Sequence, residues 1–262
     1  MINNAIQLKA KVRNVSGGDD KTAKAYIRIF FMERFMERVS LSLYRDSFII
    51  KGGMLVSSLL GINLRSTMDI DTTVKALALT IEDVSGIIRE ICDIELDDNV
   101  TFRITNVETI MEDFDYPGVR VHLDALLDRH RQPVKIDIST DDVITPGAVE
   151  YEYKLMFEDR SIYIYTYNVE TTLAEKSQTI INRGLANTRM RDFYDMYELV
   201  KNVDFSMETA RSAFKATCKK RETEFSYDRI EAELNAIKTS DALELLWNNF
   251  KVKNHFVGEL EF

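Results

Sequence analysis

The residues of this chain best suited to chemistry are two closely spaced aspartates. The segment Met68-Asp69-Ile70-Asp71 is typical of a β-strand, in which alternate side chains share a face. Asp69 and Asp71 therefore point the same way, and Ile70 points into the core. Two adjacent carboxylates repel each other unless a cation holds them, and oxygen ligands with room for phosphate oxygens suit Mg²⁺. An Asp-x-Asp pair alone is more often a solvated strand face. Neighbouring motifs must therefore show whether this pair binds a metal.

Two further features supply that context. Gly52 and Gly53 lie between a predicted strand and a predicted helix, where small residues and a helix N-terminus favour a phosphate group. The alternation of Val134-Lys135-Ile136-Asp137-Ile138-Ser139 places Asp137 on the polar face of a later strand, as a third carboxylate. A glycine turn with three carboxylates is the pattern of metal-dependent nucleotidyl transfer, in which two ions clamp a triphosphate and activate an attacking hydroxyl.

Hydrophobic periodicity predicts the elements that position these residues. Residues 22–43 carry apolar side chains at helical spacing with charges between them, which predicts an amphipathic helix, and a second helix is predicted over 81–91. Strands are predicted at 48–50, 68–74, 100–107, 118–126, 134–139, 151–157 and 162–167, with a helix after the first that ends at Gly61. From residue 169 the pattern is helical, with breaks near Gly184, Asp204, Glu222 and Thr239. The fold class is α+β, followed by an all-helical C-terminal part.

Composition excludes several classes of protein. The chain has 43 Asp and Glu against 34 Lys and Arg, a formal charge of -9 over 262 residues, with 45% hydrophobic residues, 3 Pro and 10 Gly. It is too apolar for a disordered chain and too poor in Gly and Cys for a collagenous or disulfide-stapled one. The longest apolar stretch, 25–39, is charged throughout and no secretory signal is visible, so we expect a cytoplasmic protein without a membrane segment.

A local excess of positive charge offers a surface for a polyanion. Residues 171–221 contain ten basic and six acidic residues, a local +4 that leaves -13 for the rest of the chain. Such asymmetry marks faces that meet nucleic acid, and a solvated helix surface explains it equally well. If the segment after residue 169 is a helix, Lys176 and Arg183 stand seven residues apart on one face and aim two cations the same way, which suits a triphosphate.

Four stretches between Lys51 and Tyr197 occur in the order of a known family. They are Lys51-Gly52-Gly53-Met54 with Leu64-Arg65-Ser66-Thr67-Met68-Asp69-Ile70-Asp71; Val134-Lys135-Ile136-Asp137-Ile138-Ser139; Thr172-Leu173-Ala174-Glu175-Lys176; and Arg191-Asp192-Phe193-Tyr194-Asp195-Met196-Tyr197. The chain resembles the AbiEii/MenT nucleotidyltransferase-like toxins, a branch of the polymerase-β-type nucleotidyltransferase superfamily. The superfamily usually has Gly-Ser where this chain has Gly52-Gly53, which removes one hydroxyl contact to phosphate.

The resemblance implies a domain organisation and a site. A nucleotidyltransferase-fold domain with a mixed sheet, flanking helices and an N-terminal helical extension covers 1–167, a helical domain covers 168–262, and NTP binds in the cleft between them. Asp69 and Asp71 hold Mg²⁺, and Asp137 completes the metal site or acts as a base. Lys176 and Asp192 are required for catalysis, Asp192 by orienting Lys176 or a substrate hydroxyl, while Asp195 is expected in an ion pair, for example with Arg191. The nucleotide-binding set is Gly52, Gly53, Thr67, Lys176 and Arg183, and Thr67 is a self-modified position in some relatives.

The resemblance also implies partners. The nucleotide is an NTP, either GTP or CTP with the base left open, and the acceptor is the 3′ end of tRNA. A winged-helix antitoxin is encoded nearby and need not touch the toxin. Two other readings stay open: transfer to a protein hydroxyl, and a regulatory module that binds NTP without catalysis.

Overall fold

The computed structural model describes residues 1–61, 67, 69–75, 77, 80–110, 118–140 and 142–262, and the elements below are those of this part of the chain. Its helices are α1 Ala5–Ser16, α2 Asp20–Leu41, α3 Gly52–Leu60, α4 Ile81–Cys92, α5 Val169–Arg183, α6 Met190–Asn202, α7 Met207–Lys220, α8 Tyr227–Lys238 and α9 Asp241–Lys253. Its strands are β1 Phe48–Lys51, β2 Ile70–Val74, β3 Thr101–Ile110, β4 Gly118–Leu127, β5 His130–Thr140, β6 Val149–Lys154 and β7 Ser161–Thr166. The predicted α+β class with a helical C-terminal part is confirmed.

The seven strands form one mixed sheet in the order β3-β4-β5-β2-β1-β7-β6. The pairs β2–β5 and β1–β7 are parallel, and β1–β2, β3–β4, β4–β5 and β6–β7 are antiparallel. The centre of the sheet is apolar on one side, because Ile70, Ile136 and Val121 are fully buried. The alternate residues of the same strands carry the charged side chains described in the next section.

The chain divides into two compact units. The first comprises Met1–Ser58, Ser66–Asp142 and Val149–Thr166 and contains the whole sheet, with α2 packed on β5 and β7, and α4 packed on β3 and β4. The second comprises Leu59–Arg65, Val143–Ala148 and Tyr167–Phe262. Its core is a cluster of buried side chains from α5, α6, α8, α9 and the C-terminal segment, namely Ile180, Met190, Tyr194, Ile237, Leu243, Trp247 and Val257.

Helix starts in both units are fixed by polar caps. The side chain of Asp19 accepts a hydrogen bond from the backbone N–H of Thr22 at the start of α2. Asn168 does the same for Thr171 at the start of α5, and serines cap α7, α8 and α9. Each cap satisfies one of the N–H groups that the first turn leaves without an intrahelical partner.

Helix α2 differs from the amphipathic helix that the sequence predicts. The apolar positions Ile29, Met32 and Met36 are buried as expected, but the charged residues between them are also at most 4% exposed, namely Glu33, Arg34, Glu37 and Arg38. They are buried because distant residues pair with them. Both oxygens of Asp98 accept from Arg38, at 2.9 and 3.0 Å.

Several strand boundaries differ from the predicted ones; β5, for example, begins at His130 rather than at residue 134. The strand predicted over 68–74 is β2, which begins at Ile70, so Asp69 lies just before the strand, and Met68 lies outside the described residues. The strand predicted over 151–157 ends at Lys154, because the N–H of Leu155 bonds the carbonyl of Arg160 and closes a turn into β7. Helix α1 is an element that periodicity alone did not predict.

Candidate active site

The glycine turn is in direct contact with Asp71. Gly52 begins α3 with φ of +59°, a left-handed conformation, and a Cβ atom there would lie 2.1 Å from Oδ2 of Asp71. The backbone N–H of Gly53 donates to the same oxygen at 3.2 Å. Gly52 is therefore required twice, by its backbone conformation and by the close approach of the carboxylate. The first turn of α3 holds Asp71 through a backbone amide.

Asp69, Asp71 and Asp137 lie close together on neighbouring strands. Asp71 and Asp137 are paired directly across β2 and β5, and Asp69 precedes Asp71 by two residues. Burial raises the pKa of Asp71, and the negative charges of Asp137 and Asp69 raise it further, while the Gly53 amide and the Lys51 ammonium act in the opposite direction. The three carboxylates thus share one electrostatic environment.

Two cations of the same sheet contact this group. Arg120 on β4 donates from Nε to Oδ1 of Asp137 at 2.7 Å and from Nη2 to Oδ2 at 2.9 Å. The Nζ of Lys135, on β5, lies 3.0 Å from Oδ2 of Asp69. The hydrogen bond with Asp137 raises the pKa of Arg120 above its ordinary value. Each of these two aspartates therefore has a protein cation as partner.

A third ion pair stands at the end of the same row of strands. Lys51, the last residue of β1 and opposite Asp71 in the register, pairs with Asp142. The hydroxyl of Ser139 donates to the same Asp142 carboxylate at 2.7 Å. Lys51 is only 6% exposed, so its charge is buried next to the strand that carries Asp71.

The aspartates fit a hard divalent cation chemically. Asp69 and Asp71 offer only oxygen ligands, and a divalent cation would offset the negative charges of Asp69 and Asp137 beside Asp71. Asp137 fits less directly, because both of its oxygens accept hydrogen bonds from Arg120. As the side chains stand, no group of three His, Cys, Asp or Glu residues among the described part of the chain is arranged to hold a metal ion.

Thr67 is buried beside Asp69. Its hydroxyl donates to the backbone carbonyl of Asp69 at 3.2 Å, and the residue is 3% exposed. The contact helps to fix the chain as it enters β2. In this arrangement the hydroxyl predicted to contact the nucleotide serves an internal hydrogen bond.

The second unit contains a separate cluster built on Lys176 of α5. Its Nζ lies 2.6 Å from Oδ1 of Asp192 and 2.8 Å from Oδ2 of Asp195, both on α6. Nε of Arg189 lies 2.7 Å from the other oxygen of Asp192. Burial alone raises the pKa of Asp192, but the charges of Lys176 and Arg189 outweigh it and hold the pKa below its ordinary value. Asp195 is thus in an ion pair with Lys176, a partner that the spacing within α6 did not suggest.

Other cations of the described residues lie in each of the two units. Arg183 is the last residue of α5, seven positions after Lys176, and is half-buried. Arg131 pairs with Asp124 at 2.8 Å in the first unit. In the second unit Arg221 donates to the side chain of Gln178 at 2.6 Å.

Arg120, Lys51 and Asp142 are the members of the site that sequence reasoning did not single out. Arg120 stands between Val119 and Val121, so its polar position in an apolar strand was a visible signal. Its partner was not visible, because the register Arg120–Asp137 joins residues of two strands across a hairpin. Lys135 was placed on the same face as Asp137, but its contact with Asp69 needed the pairing of β2 with β5.

Comparison with known proteins gives one family. A family model described as "Nucleotidyl transferase AbiEii toxin, Type IV TA system" matches residues 34–260. No curated protein sequence matches the chain.

Several solved structures resemble the fold at low identity. JHP933 from Helicobacter pylori is 12% identical with a TM-score of 0.46, over 88% of this chain and 95% of that one. An antigenic nucleotidyltransferase-like protein from Paracoccidioides brasiliensis is 13% identical with a TM-score of 0.41, over 78% of this chain and 93% of that one. ANT(2″)-Ia in complex with adenylyl-2″-tobramycin is 12% identical with a TM-score of 0.40, over 72% and 95%. At this level the similarity carries no inference about activity.

Proposed function

The chain belongs to the AbiEii family of nucleotidyltransferase toxins from type IV toxin–antitoxin systems, and on this premise we propose that it transfers a nucleoside monophosphate from an NTP to the 3′ end of tRNA. Membership of the family implies an antitoxin partner. The proposal concerns the acceptor, the nucleotide and the residues that act on them.

The observation that supports the proposal most strongly is the placement of Asp69, Asp71 and Asp137. Asp71 and Asp137 are opposite each other on β2 and β5, Asp69 lies just before β2, and Asp71 accepts a hydrogen bond from the amide of Gly53 at the start of α3. Arg120 and Lys135 offset part of the repulsion among these three carboxylates, and the remaining repulsion destabilises the fold unless a further cation binds. The metal ion of a metal–triphosphate complex would supply that cation.

Each residue has a defined task in the proposed reaction. Asp69 and Asp71 would hold Mg²⁺, which supplies charge neutralisation at the phosphates and orients the reacting oxygens. A new bond forms between the acceptor oxygen and the α-phosphorus, the bond from that phosphorus to the β-phosphate oxygen breaks, and pyrophosphate leaves. Asp137 either adds to the metal site or takes the proton from the acceptor hydroxyl.

Phosphate binding is assigned to the remaining predicted residues. Amides of the Gly52–Gly53 turn approach the phosphates, since a helix N-terminus favours an anion. Lys176 and Arg183 supply positive charge, and the pair of carboxylates on Lys176 keeps that side chain in a fixed position. Thr67 is the remaining member of the nucleotide-binding set.

The proposed product accounts for toxicity. The amino acid is attached at the 3′ end of tRNA, so added nucleotides there block aminoacylation and stop translation. GTP or CTP is the nucleotide, and the antitoxin is a winged-helix protein encoded nearby that need not contact this chain. The acidic balance of the chain does not oppose an RNA acceptor, because residues 171–221 carry a local excess of basic side chains.

The experiment incubates purified protein with Mg²⁺, each α-³²P-labelled NTP in turn, and total tRNA that is either intact or periodate-oxidised at its 3′ end. We expect label in intact tRNA from one NTP and none in oxidised tRNA, because oxidation removes the acceptor hydroxyl. The matched control is Asp69→Asn, which removes one charge from the proposed metal site and leaves the shape unchanged.

Two other outcomes contradict the proposal. Label on added protein in place of RNA identifies a protein hydroxyl as the acceptor. Saturable binding of NTP with no transfer to either acceptor identifies a regulatory module.

A further inference from the structure

Two cations of the sheet form ion pairs with carboxylates that are metal ligands in the proposed function. Arg120 makes a two-pronged contact with Asp137, at 2.7 and 2.9 Å, and the Asp137 side chain is 9% exposed. Lys135 makes a single contact with Asp69 at 3.0 Å, and both of these side chains are 30% exposed. The first pair is therefore the better defined, because bidentate guanidinium–carboxylate contacts fix both groups.

The register places five charged residues, two cations and three carboxylates, along one row of the sheet. Lys51, Asp71, Asp137, Arg120 and Glu108 are paired in turn across β1, β2, β5, β4 and β3. Residues paired in this way share a face, so Arg120 stands between two carboxylates, Asp137 on one side and Glu108 on the other. The guanidinium thus has a second carboxylate close by if it leaves the first.

A divalent cation at Asp137 must work against this guanidinium. Like charges within a few ångströms oppose each other strongly in a half-buried site. Both oxygens of Asp137 already accept hydrogen bonds, so coordination requires the guanidinium to share them or move away. Lys135 opposes the metal at Asp69 in the same manner, with a single contact.

We propose that Arg120 and Lys135 compete with the divalent cation for Asp137 and Asp69, and that they turn to a phosphate group of the substrate when the metal binds. This inference rests on the proposed function, since it takes the aspartates as metal ligands. Free metal alone then binds weakly, because two protein cations must be displaced. Metal bound with a polyphosphate binds well, because the phosphates receive the displaced cations. Each ligand thereby raises the affinity of the other.

The proposal predicts changes of opposite sign in one variant. Arg120→Gln removes the competing charge, so the affinity for Mn²⁺ alone rises about tenfold, as a nearby charge changes the binding of a single proton by about tenfold or more. The same variant loses a phosphate contact, so affinity for a nucleotide at saturating Mg²⁺ falls about tenfold. A purely structural role for Arg120 lowers both affinities together.

The test measures Mn²⁺ binding by the loss of the free-ion electron paramagnetic resonance signal, and nucleotide binding by calorimetry with the α,β-methylene analogues of CTP and GTP. Arg103→Gln is the control, because Arg103 also contacts a buried carboxylate of the same sheet, Asp124 at 3.0 Å, and that carboxylate is not a proposed metal ligand. Arg120→Lys keeps the charge without the bidentate contact and should fall between the wild type and Arg120→Gln. Thermal unfolding of each variant confirms that it is folded.

Outcomes separate this inference from the proposed function. Unchanged or weaker Mn²⁺ binding by Arg120→Gln overturns the competition, as does an equal effect of Arg103→Gln. Tighter Mn²⁺ binding with unchanged nucleotide binding overturns the phosphate contact. If the wild type binds neither analogue, the proposed function fails, and the Mn²⁺ comparison still decides the competition. In an Asp137→Asn background the Arg120→Gln effect on Mn²⁺ should vanish.

Discussion

At Gly52 the absence of a side chain allows Asp71 to keep its position. The residue combines a left-handed backbone with a carboxylate oxygen 2.1 Å from where a Cβ would stand. Gly17 has nearly the same φ, +58°, but has nothing within 4 Å of its Cβ position. Substitution of Gly17 by alanine therefore tests the cost of the positive φ alone, whereas the same substitution at Gly52 adds the cost of a steric clash.

We predict that Gly52→Ala destabilises the protein more than Gly17→Ala does. The left-handed conformation costs an alanine about 1–2 kcal/mol at either site. The collision with Asp71 adds about 1–3 kcal/mol at Gly52 alone, because a carboxylate or a helix start must shift. Urea denaturation of the two variants measures the difference. Equal losses in the two variants would show that Asp71 moves aside freely.

A second prediction concerns the contribution of Asp192 to stability as a function of pH. Its pKa in the folded protein is held below the ordinary value of an aspartate by Lys176 and Arg189, whose charges outweigh the effect of burial. A carboxyl whose pKa is lowered by folding stabilises the protein above its unfolded pKa and loses that contribution as the pH falls through the folded value. The stability advantage of wild type over Asp192→Asn should be present at about pH 6 and shrink below about pH 4. An advantage that is the same at both pH values contradicts the ion pair. Unfolding by guanidinium chloride across this range makes the measurement.

At the scale of the element, α2 shows which part of the fold the sequence could predict. Its position, length and apolar stripe follow from local spacing, and so do the breaks between the C-terminal helices. The burial of its charged residues does not follow, because their partners are far along the chain. Glu33, for example, accepts hydrogen bonds from the N–H of Met156 and the hydroxyl of Tyr153. Such long-range contacts cannot be predicted from local periodicity.

Burial of Glu33 gives α2 a pH-dependent contribution to stability. Burial raises the pKa of this carboxyl from 4.5 to about 8, against the smaller effect of Arg34. A carboxyl whose pKa is raised by folding binds its proton more tightly in the folded state, so stability falls as the pH rises between the two values. The contribution is lost by up to about 1.4 kcal/mol per pH unit.

We predict that Glu33→Gln removes this pH dependence. The amide is always neutral, so the advantage of wild type over the variant should be greatest near pH 5 and decrease towards pH 8. Urea denaturation of both proteins at about pH 5.5 and about pH 7.5 tests it. A constant difference between the two proteins at both pH values would show that Glu33 has the same pKa in the folded and unfolded states.

At the scale of the whole molecule, the candidate site residues could be selected from the sequence, whereas the charges that surround them could not. The aspartates and the glycine turn are recognisable because they are close together in sequence and match the motifs of a family. The face on which Asp137 lies could be anticipated from strand alternation, because a polar residue in an alternating strand faces away from the core, but its position opposite Asp71 depends on the pairing of β2 with β5. The contact of Arg120 with Asp137 could not, since strand register is set by the packing of the complete sheet.

Within the described residues no helix is long and apolar enough to cross a membrane. The division into a sheet-containing unit and a helical unit accompanies the family match over residues 34–260, which extends through both. A test of function must therefore use the full chain, since the family's motifs lie in both units.

The central claim is that this chain transfers a nucleotidyl group through the carboxylates of its sheet. The most direct measurement supplies tRNA and NTP labelled in parallel reactions at the α- or the γ-phosphate, using wild type, Asp71→Asn and Asp124→Asn, the last as a buried aspartate of the same sheet outside the site. We predict α-label in RNA and no γ-label with wild type and Asp124→Asn, and a loss of at least about a hundredfold with Asp71→Asn. Transfer of γ-label, or full activity of Asp71→Asn, would contradict the account.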